Sequence, residues 1–171
     1  MRIVYNETVA EALFYHEDET GLFVRALGHV TAAVSTDLRE LILNRLALPA
    51  VPPLFAVDLS ECDYMDSTFM GLLVGFHKRY KQLTQNPLTI LRPTPECLKL
   101  LRGLGILPLL RLITGKEPAS PREWTSVQAR QNPAAEILLQ AHEELSGLSP
   151  ENERKFEALR SVLKQQIDKN R

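Results

Sequence analysis

Long apolar runs, basic excess and paired cysteines are what this chain has least of. No uninterrupted apolar stretch approaches membrane-spanning length, and no basic region followed by an apolar core opens the sequence, so a membrane span and a secretory leader are not expected. A formal net charge of −1 leaves no electrostatic footprint for nucleic acid or an anionic membrane. The two cysteines, Cys62 and Cys97, lack metal-ligand or redox spacing, which points to a reducing, cytoplasmic setting.

The usual catalytic signatures are missing too. There is no Gly-x-Ser-x-Gly nucleophile elbow, and the four histidines are scattered. A hydrolase would have to draw on Ser67, His29 and an aspartate brought together by folding, so the chain reads as a non-enzyme. The acids Asp58, Glu61, Asp63 and Asp66 lack the glycine and spacing of a calcium loop, so neither metal nor cofactor is expected.

What is present is the composition of a folded protein, 171 residues and 44% hydrophobic, with room for one domain and an appendage. Short strands are expected at 3–5 and 12–15. The charged turn 16–21 separates the second from 22–27, which predicts an antiparallel hairpin. Val34, Leu38, Leu41, Ile42 and Leu46 recur at helical spacing and stop before Pro49. From residue 22 to about 103 the order is strand, helix, strand, helix, strand, helix, the pattern of an α/β sheet with helices packed on it, with 110–113 a candidate last strand.

The centre of this pattern is the run from Val57 to Leu73. It reads as a strand, an acidic loop and a long helix, placing Ser67 at the helix start, where a hydroxyl can cap the helix or a phosphate can be held by unpaired N–H groups. Parallel strands send their following loops to one edge, so Gly28-His29, Asp66-Ser67 and Arg92-Pro93 are expected to frame one site. The helix itself carries two apolar stripes. One is Met70, Leu73, Val74 and His77; the other is Phe69, Leu72, Phe76, Tyr80 and Leu83. The second stripe must be covered by the chain's own tail, by a partner or by a second copy.

Pro118, Ser120 and Pro121 mark a boundary, after which two helices are expected. Asn132-Pro133 is a cap and first helical proline, with Ile137, Leu138, Ala141 and Leu145 as an apolar face ending at Gly147. Ser149-Pro150 opens the second, with Phe156, Leu159, Leu163 and Ile167 on one side. The short turn between them predicts a helical hairpin that docks on the domain, a partner or a symmetry mate.

The run Asp66-Ser67-Thr68-Phe69-Met70-Gly71-Leu72-Leu73, preceded by Val57-Asp58-Leu59-Ser60, resembles the signature of STAS domains, the anti-sigma factor antagonists of bacteria. Val24 to Val30, Leu88 to Leu91, Thr94 to Leu101 and Gly105-Ile106 extend the resemblance in order over about residues 11–117. Phe69 and Met70 stand where the family has the Gly and Leu of its Gly-Leu-Gly. The resemblance implies a STAS-like mixed sheet of four to five strands with helices packed on it over 1–118; the C-terminal helical extension expected over 119–171 rests on the tail's own pattern, since the minimal family domain lacks it. It implies phosphorylation at Ser67, supported by Asp66, Thr68 and Asp58, and a partner surface drawn from Gly28, His29, Phe69, Leu72, Phe76 and Arg92. The implied partners are an anti-sigma factor or serine kinase, bound when Ser67 is unphosphorylated, and a resetting phosphatase, all within transcription regulation. A homodimer through helix 67–83 or the C-terminal helices, and a constitutive scaffold not phosphorylated at Ser67, are the alternatives.

Overall fold

The computed structural model describes residues 12–115 and 123–171. The expected strand at 3–5 and the boundary at Pro118, Ser120 and Pro121 lie outside these residues. Strands β1 (Ala12–Asp18) and β2 (Gly21–Val30) form the expected antiparallel hairpin, with Asp18 facing Gly21. Its turn is closed by the Asp18 carboxylate, which accepts from Thr20 N at 2.8 Å and from the Thr20 hydroxyl. Helix α1 (Ser35–Leu46) follows, then β3 (Phe55–Met65), α2 (Ser67–Thr84), β4 (Thr89–Leu91), α3 (Pro95–Gly103) and β5 (Arg111–Ile113). Among the described residues the sheet order is β5-β4-β3-β2-β1-β6, six strands where four to five were expected. The addition is β6 (Thr125–Ser126), two residues long and antiparallel to β1, too short for any alternation to announce it.

Strand β3 corrects the largest feature of the sequence reading. The acidic stretch after Asp58 is strand rather than loop and stays paired with β2 to Met65. The register shifts twice, between Arg25 and Leu27 and between Gly28 and His29, each shift adding one residue on β3. Such bulges break the two-residue period by which a strand is recognised and increase its twist. Gly28, expected in a loop, lies inside β2 at the second bulge with φ +67°, a conformation that favours glycine.

One buried cluster joins Leu22, Val24 and Ala26 of β2, Phe55, Val57 and Leu59 of β3, Leu38 and Ile42 of α1, and Leu73, Phe76 and Tyr80 of α2. Each such large side chain contributes about 1.5–3 kcal/mol on leaving water. The rings of Phe76 and Tyr80 lie 5.9 and 5.8 Å from that of Phe55, so this stripe packs on the sheet at its C-terminal half. His77 is also buried, its Nδ1 accepting from Leu88 N. Both apolar stripes are therefore internal, apart from Leu83 at the far end of the helix.

Helices α4 (Ala135–Ser146) and α5 (Pro150–Lys169) form the hairpin. Ser149 caps α5 as expected, accepting from Asn152 N at 3.0 Å. Helix α4 begins later than Asn132-Pro133 implied, because Ala134 is still extended at ψ 139° and serves as the cap without a side-chain bond. The hairpin docks on its own domain. The Asn152 side-chain amide, 3% exposed, donates to the carbonyls of Leu104 and Leu145 at 2.9 Å each, tying the start of α5 to the turn after α3 and to the end of α4.

Candidate phosphoacceptor site

The exits of β2 and β3 meet where α2 begins. Asp66 N donates to the Val30 carbonyl at 3.0 Å, and Ala32 N donates to Asp66 Oδ2 at 2.8 Å. The other carboxylate oxygen accepts from Phe69 N at 2.9 Å, which makes Asp66 the N-cap of α2. The cap is thus the aspartate and not the Ser67 hydroxyl. Ser67 becomes the first helical residue, with its side chain released from capping, while Thr68 is buried at 4% exposure.

The Ser67 hydroxyl instead meets His142 of α4, with 2.8 Å between Oγ and Nε2. His142 Nδ1 lies 2.6 Å from the Leu138 carbonyl, an oxygen that can only accept, so Nδ1 carries the proton. In the neutral imidazole Nε2 is then an acceptor, and Ser67 donates to it. The imidazole is 2% exposed and lies edge-on to Phe156 of α5, 5.2 Å between ring centres. Sequence reasoning missed this partner because the two residues are 75 positions apart, and nothing local marks His142 among the four histidines.

Of the residues expected at one edge, the fold assembles only some. Asp58 does not reach the start of α2. Its partner on β4 is Leu91, the last residue of that strand, whereas β3 runs on to Met65. At about 3.3 Å per residue the separation from Ser67 is roughly 20 Å. Arg92 stays with Asp58, its guanidinium 3.0 Å from the carboxylate, and Arg25 approaches the same oxygen at 3.2 Å. Asp58 also accepts from Ser60 N at 2.9 Å, across the first bulge. Burial pushes the Asp58 carboxyl up, but the Ser60 hydrogen bonds together with Arg92 and Arg25 outweigh it and hold it below the usual carboxylate range. The pair Asp58 and Arg92 is thus a separate ionic cluster on the sheet.

His29 lies near the end of β2, exposed, its ring 5.6 Å from that of Tyr64, so the Ser67–His29 pairing needed for hydrolysis is replaced by Ser67–His142. Phe69, Leu72 and Phe76 are 0, 4 and 2% exposed, so the surface attributed to them is interior. The side of α2 that faces the hairpin is instead lined by Ser67, Gly71, Gly75 and Lys78. Gly71 approaches Ala141, Gly75 approaches Glu144, and Lys78 pairs with Glu144. The cleft left between these helices is lined by Arg39, Gly71, Gly75, Gln140, Ala141 and Glu144.

Cys62 and Cys97 are both fully buried, the Cys97 thiol donating to the Cys62 carbonyl at 3.3 Å and the Cys62 thiol to the Tyr64 carbonyl at 3.4 Å. The proximity of the two thiols, together with desolvation, raises Cys62, and Cys97 is lowered. Among the described residues no cluster of three His, Cys, Asp or Glu groups could hold a metal ion, and no helix is long and apolar enough to cross a membrane.

Comparison with known proteins places this geometry. The unphosphorylated form of the anti-sigma factor antagonist SpoIIAA superposes with a TM-score of 0.52 at 18% identity, over 60% of this chain and 88% of that one. The phosphorylated form of the Bacillus cell fate determinant SpoIIAA gives 0.49 at 18% identity, over 60% and 91%. Comparison with curated proteins finds no match. A scan against protein families matches residues 12–117, more than half of the chain, to the STAS domain. With its mixed sheet, the β3–α2 junction at Ser67 and that match, the chain belongs to the STAS domain family.

Proposed function

We propose that this protein is a phosphorylation-controlled binding switch. Unphosphorylated, it holds an anti-sigma factor or another regulator built like a serine kinase; phosphorylated at Ser67, it lets go, and a phosphatase resets it. In this reading residues 1–118 are the switch domain, 119–171 are its extension, and the protein works in the cytoplasm by binding rather than catalysis.

The observation that carries the reading is the division of labour at the start of α2. Asp66 caps the helix, so the Ser67 hydroxyl is not needed for capping and sits at a terminus whose dipole favours negative charge. A phosphate there adds about −1.5 to −2 charges next to the Asp66 carboxylate. A like charge about 4 Å away at an interface costs up to ~4 kcal/mol at an intermediate dielectric. At 1.4 kcal/mol per tenfold, one phosphate changes partner affinity by about a hundredfold or more without a large shape change. Phe69 is no obstacle to a kinase, because its side chain is directed into the core.

The test is mass spectrometry of the protein isolated from its native cells under several growth conditions, localising phosphate between Asp58 and Lys78. Phosphate on Ser67 supports the switch, and phosphate on Thr68 moves the site by one residue. Its absence in every condition sinks the reading and leaves the constitutive scaffold, which the Ser67–His142 bond favours by occupying the hydroxyl.

A further inference from the structure

The hairpin and a phosphate on Ser67 compete for one place. Ser67 Oγ is in hydrogen-bond contact with His142 Nε2 at 2.8 Å, a spacing that leaves no room for a phosphorus atom and three oxygens. His142 is held in this position by the bond from its other nitrogen to the Leu138 carbonyl one turn back in α4 and by the ring of Phe156 behind it. One turn further along α2, Gly71 is so close to the Ala141 backbone that a Cβ there would lie 2.2 Å from the carbonyl oxygen, so room for a phosphate is made only by moving the helices apart.

The rim of the seat is held by exposed or half-exposed polar pairs, Lys78 with Glu144 and Arg39 with Gln140, which contribute little in water. On release the contacts of His142 with Phe156 and of Asn152 with the Leu145 carbonyl travel with the hairpin, while the Asn152 bond to the Leu104 carbonyl and the burial of Leu145 against the domain are given up. Residues 127–134, which join β6 to α4, form no helix or strand.

We infer that the α4–α5 hairpin is a built-in occupant of the Ser67 seat, so that hairpin docking and phosphorylation of Ser67 exclude one another. This deepens the switch reading and rests on Ser67 being the modified residue. In the modification, the Ser67 oxygen bonds to the terminal phosphorus of a nucleoside triphosphate. The bond from that phosphorus to the nucleoside diphosphate breaks, and the hydroxyl proton passes to a base of the kinase. The hairpin must be off for that approach, and the product keeps it off. Because coupling between two states is reciprocal at equilibrium, a docked hairpin disfavours the phosphorylated form by the same free energy that the phosphate takes from docking. Release uncovers Ala141, Leu145 and the small-residue side of α2 together, so phosphorylation creates one surface while altering another.

The test uses the intact chain with phosphoserine encoded at position 67, compared with unmodified protein by amide hydrogen exchange. Exchange across 135–169 is expected to rise about ten- to a hundredfold while β2 and β3 keep their protection, and protection returns once a broad-specificity protein phosphatase removes the phosphate. Unchanged protection of 135–169 overturns the inference. Equal loss across β2 and β3 overturns it as well, since the phosphate would then be unfolding the domain rather than lifting its cover. Ser67→Asp should show the same hairpin-confined pattern to a smaller extent. Because the phosphate is placed by encoding, the outcome is independent of whether cells phosphorylate Ser67, which the mass spectrometry above decides separately.

Discussion

Gly71 of α2 and Ala141 of α4 meet backbone to backbone, so closely that a methyl group on Gly71 would sit 2.2 Å from the Ala141 carbonyl oxygen. Neither side of that contact is the end of a flexible side chain. Gly71→Ala must therefore push the helices apart, and we expect a loss of about 1–3 kcal/mol by analogy with overpacked cores. Gly75→Ala, one turn on, meets only Glu144 Cγ at 3.8 Å, an ordinary contact. It should be neutral or gain up to ~1 kcal/mol from helix propensity. Urea unfolding of both variants checks the contrast; equal effects would mean that the helices are not seated as described.

Asn152 is the hairpin's second anchor. Asn152→Ala removes two hydrogen bonds and leaves the Leu104 carbonyl without this donor in a buried place, while the Leu145 carbonyl keeps its bond from Leu148 N. A cost of about 1–3 kcal/mol is expected, and amide exchange should locate it in α5 and the end of α4 rather than in the sheet.

Much of the fold was legible because hydrophobic period agrees with tertiary structure in β1, β2, α1 and α5, and in α5 the expected Ser149 cap agrees as well. The misreadings have physical causes. In β3, two bulges and the acids Glu61 and Asp63 disguised strand as loop, and that error moved Asp58 and Arg92 onto the Ser67 edge. At α2, both Asp66 and Ser67 are good caps. Only the second bond of Asp66, from Ala32 N, shows why the aspartate takes the role. The face of α2 that receives the hairpin carries Ser67, Gly71, Gly75 and Lys78, and a small-residue seat gives no apolar signal. That the second apolar stripe must be covered was foreseeable from apolar area; that the sheet covers it, and that the tail docks on the other face through a histidine, was not.

Asp58 predicts an acid-dependent stability. Its folded carboxyl is held below the unfolded value of about 3.9. The stability it contributes is therefore full above that value and is lost as pH falls through the lower folded one. Asp58→Asn, at a site 2% exposed and shared by two arginines, should cost about 1–3 kcal/mol at neutral pH, discounted because Arg25 and Arg92 are partly solvated. The variant should also unfold with a shallower acid limb below pH 4, read by circular dichroism.

His77 acts in a higher window. Desolvation first, then Lys81 and Lys78, lower its folded pKa, so the unfolded chain binds the extra proton more readily below about 6.5. Stability contributed by the neutral ring is complete above that value and declines as pH falls towards the folded one. His77→Gln keeps an acceptor for Leu88 N and should flatten the stability profile between pH 7 and 5. A profile as steep as that of the unsubstituted protein would assign the slope to another group.

The Ser67–His142 bond can be isolated by a double-mutant cycle. Ser67→Ala leaves His142 Nε2 without its donor in a site 2% exposed, and His142→Ala leaves the Ser67 hydroxyl without its acceptor and opens space beside Phe156. Each single variant should destabilise the folded chain, the histidine change more because it also removes packing. The double variant should be less damaged than the sum by about 0.5–1.5 kcal/mol, the net worth of a neutral hydrogen bond. Because the bond spans the hairpin and the domain, the same coupling should be readable in the exchange of α4 amides. A coupling of zero in both measurements would mean that the hydroxyl is already free in solution, and that the hairpin guards Ser67 by bulk alone.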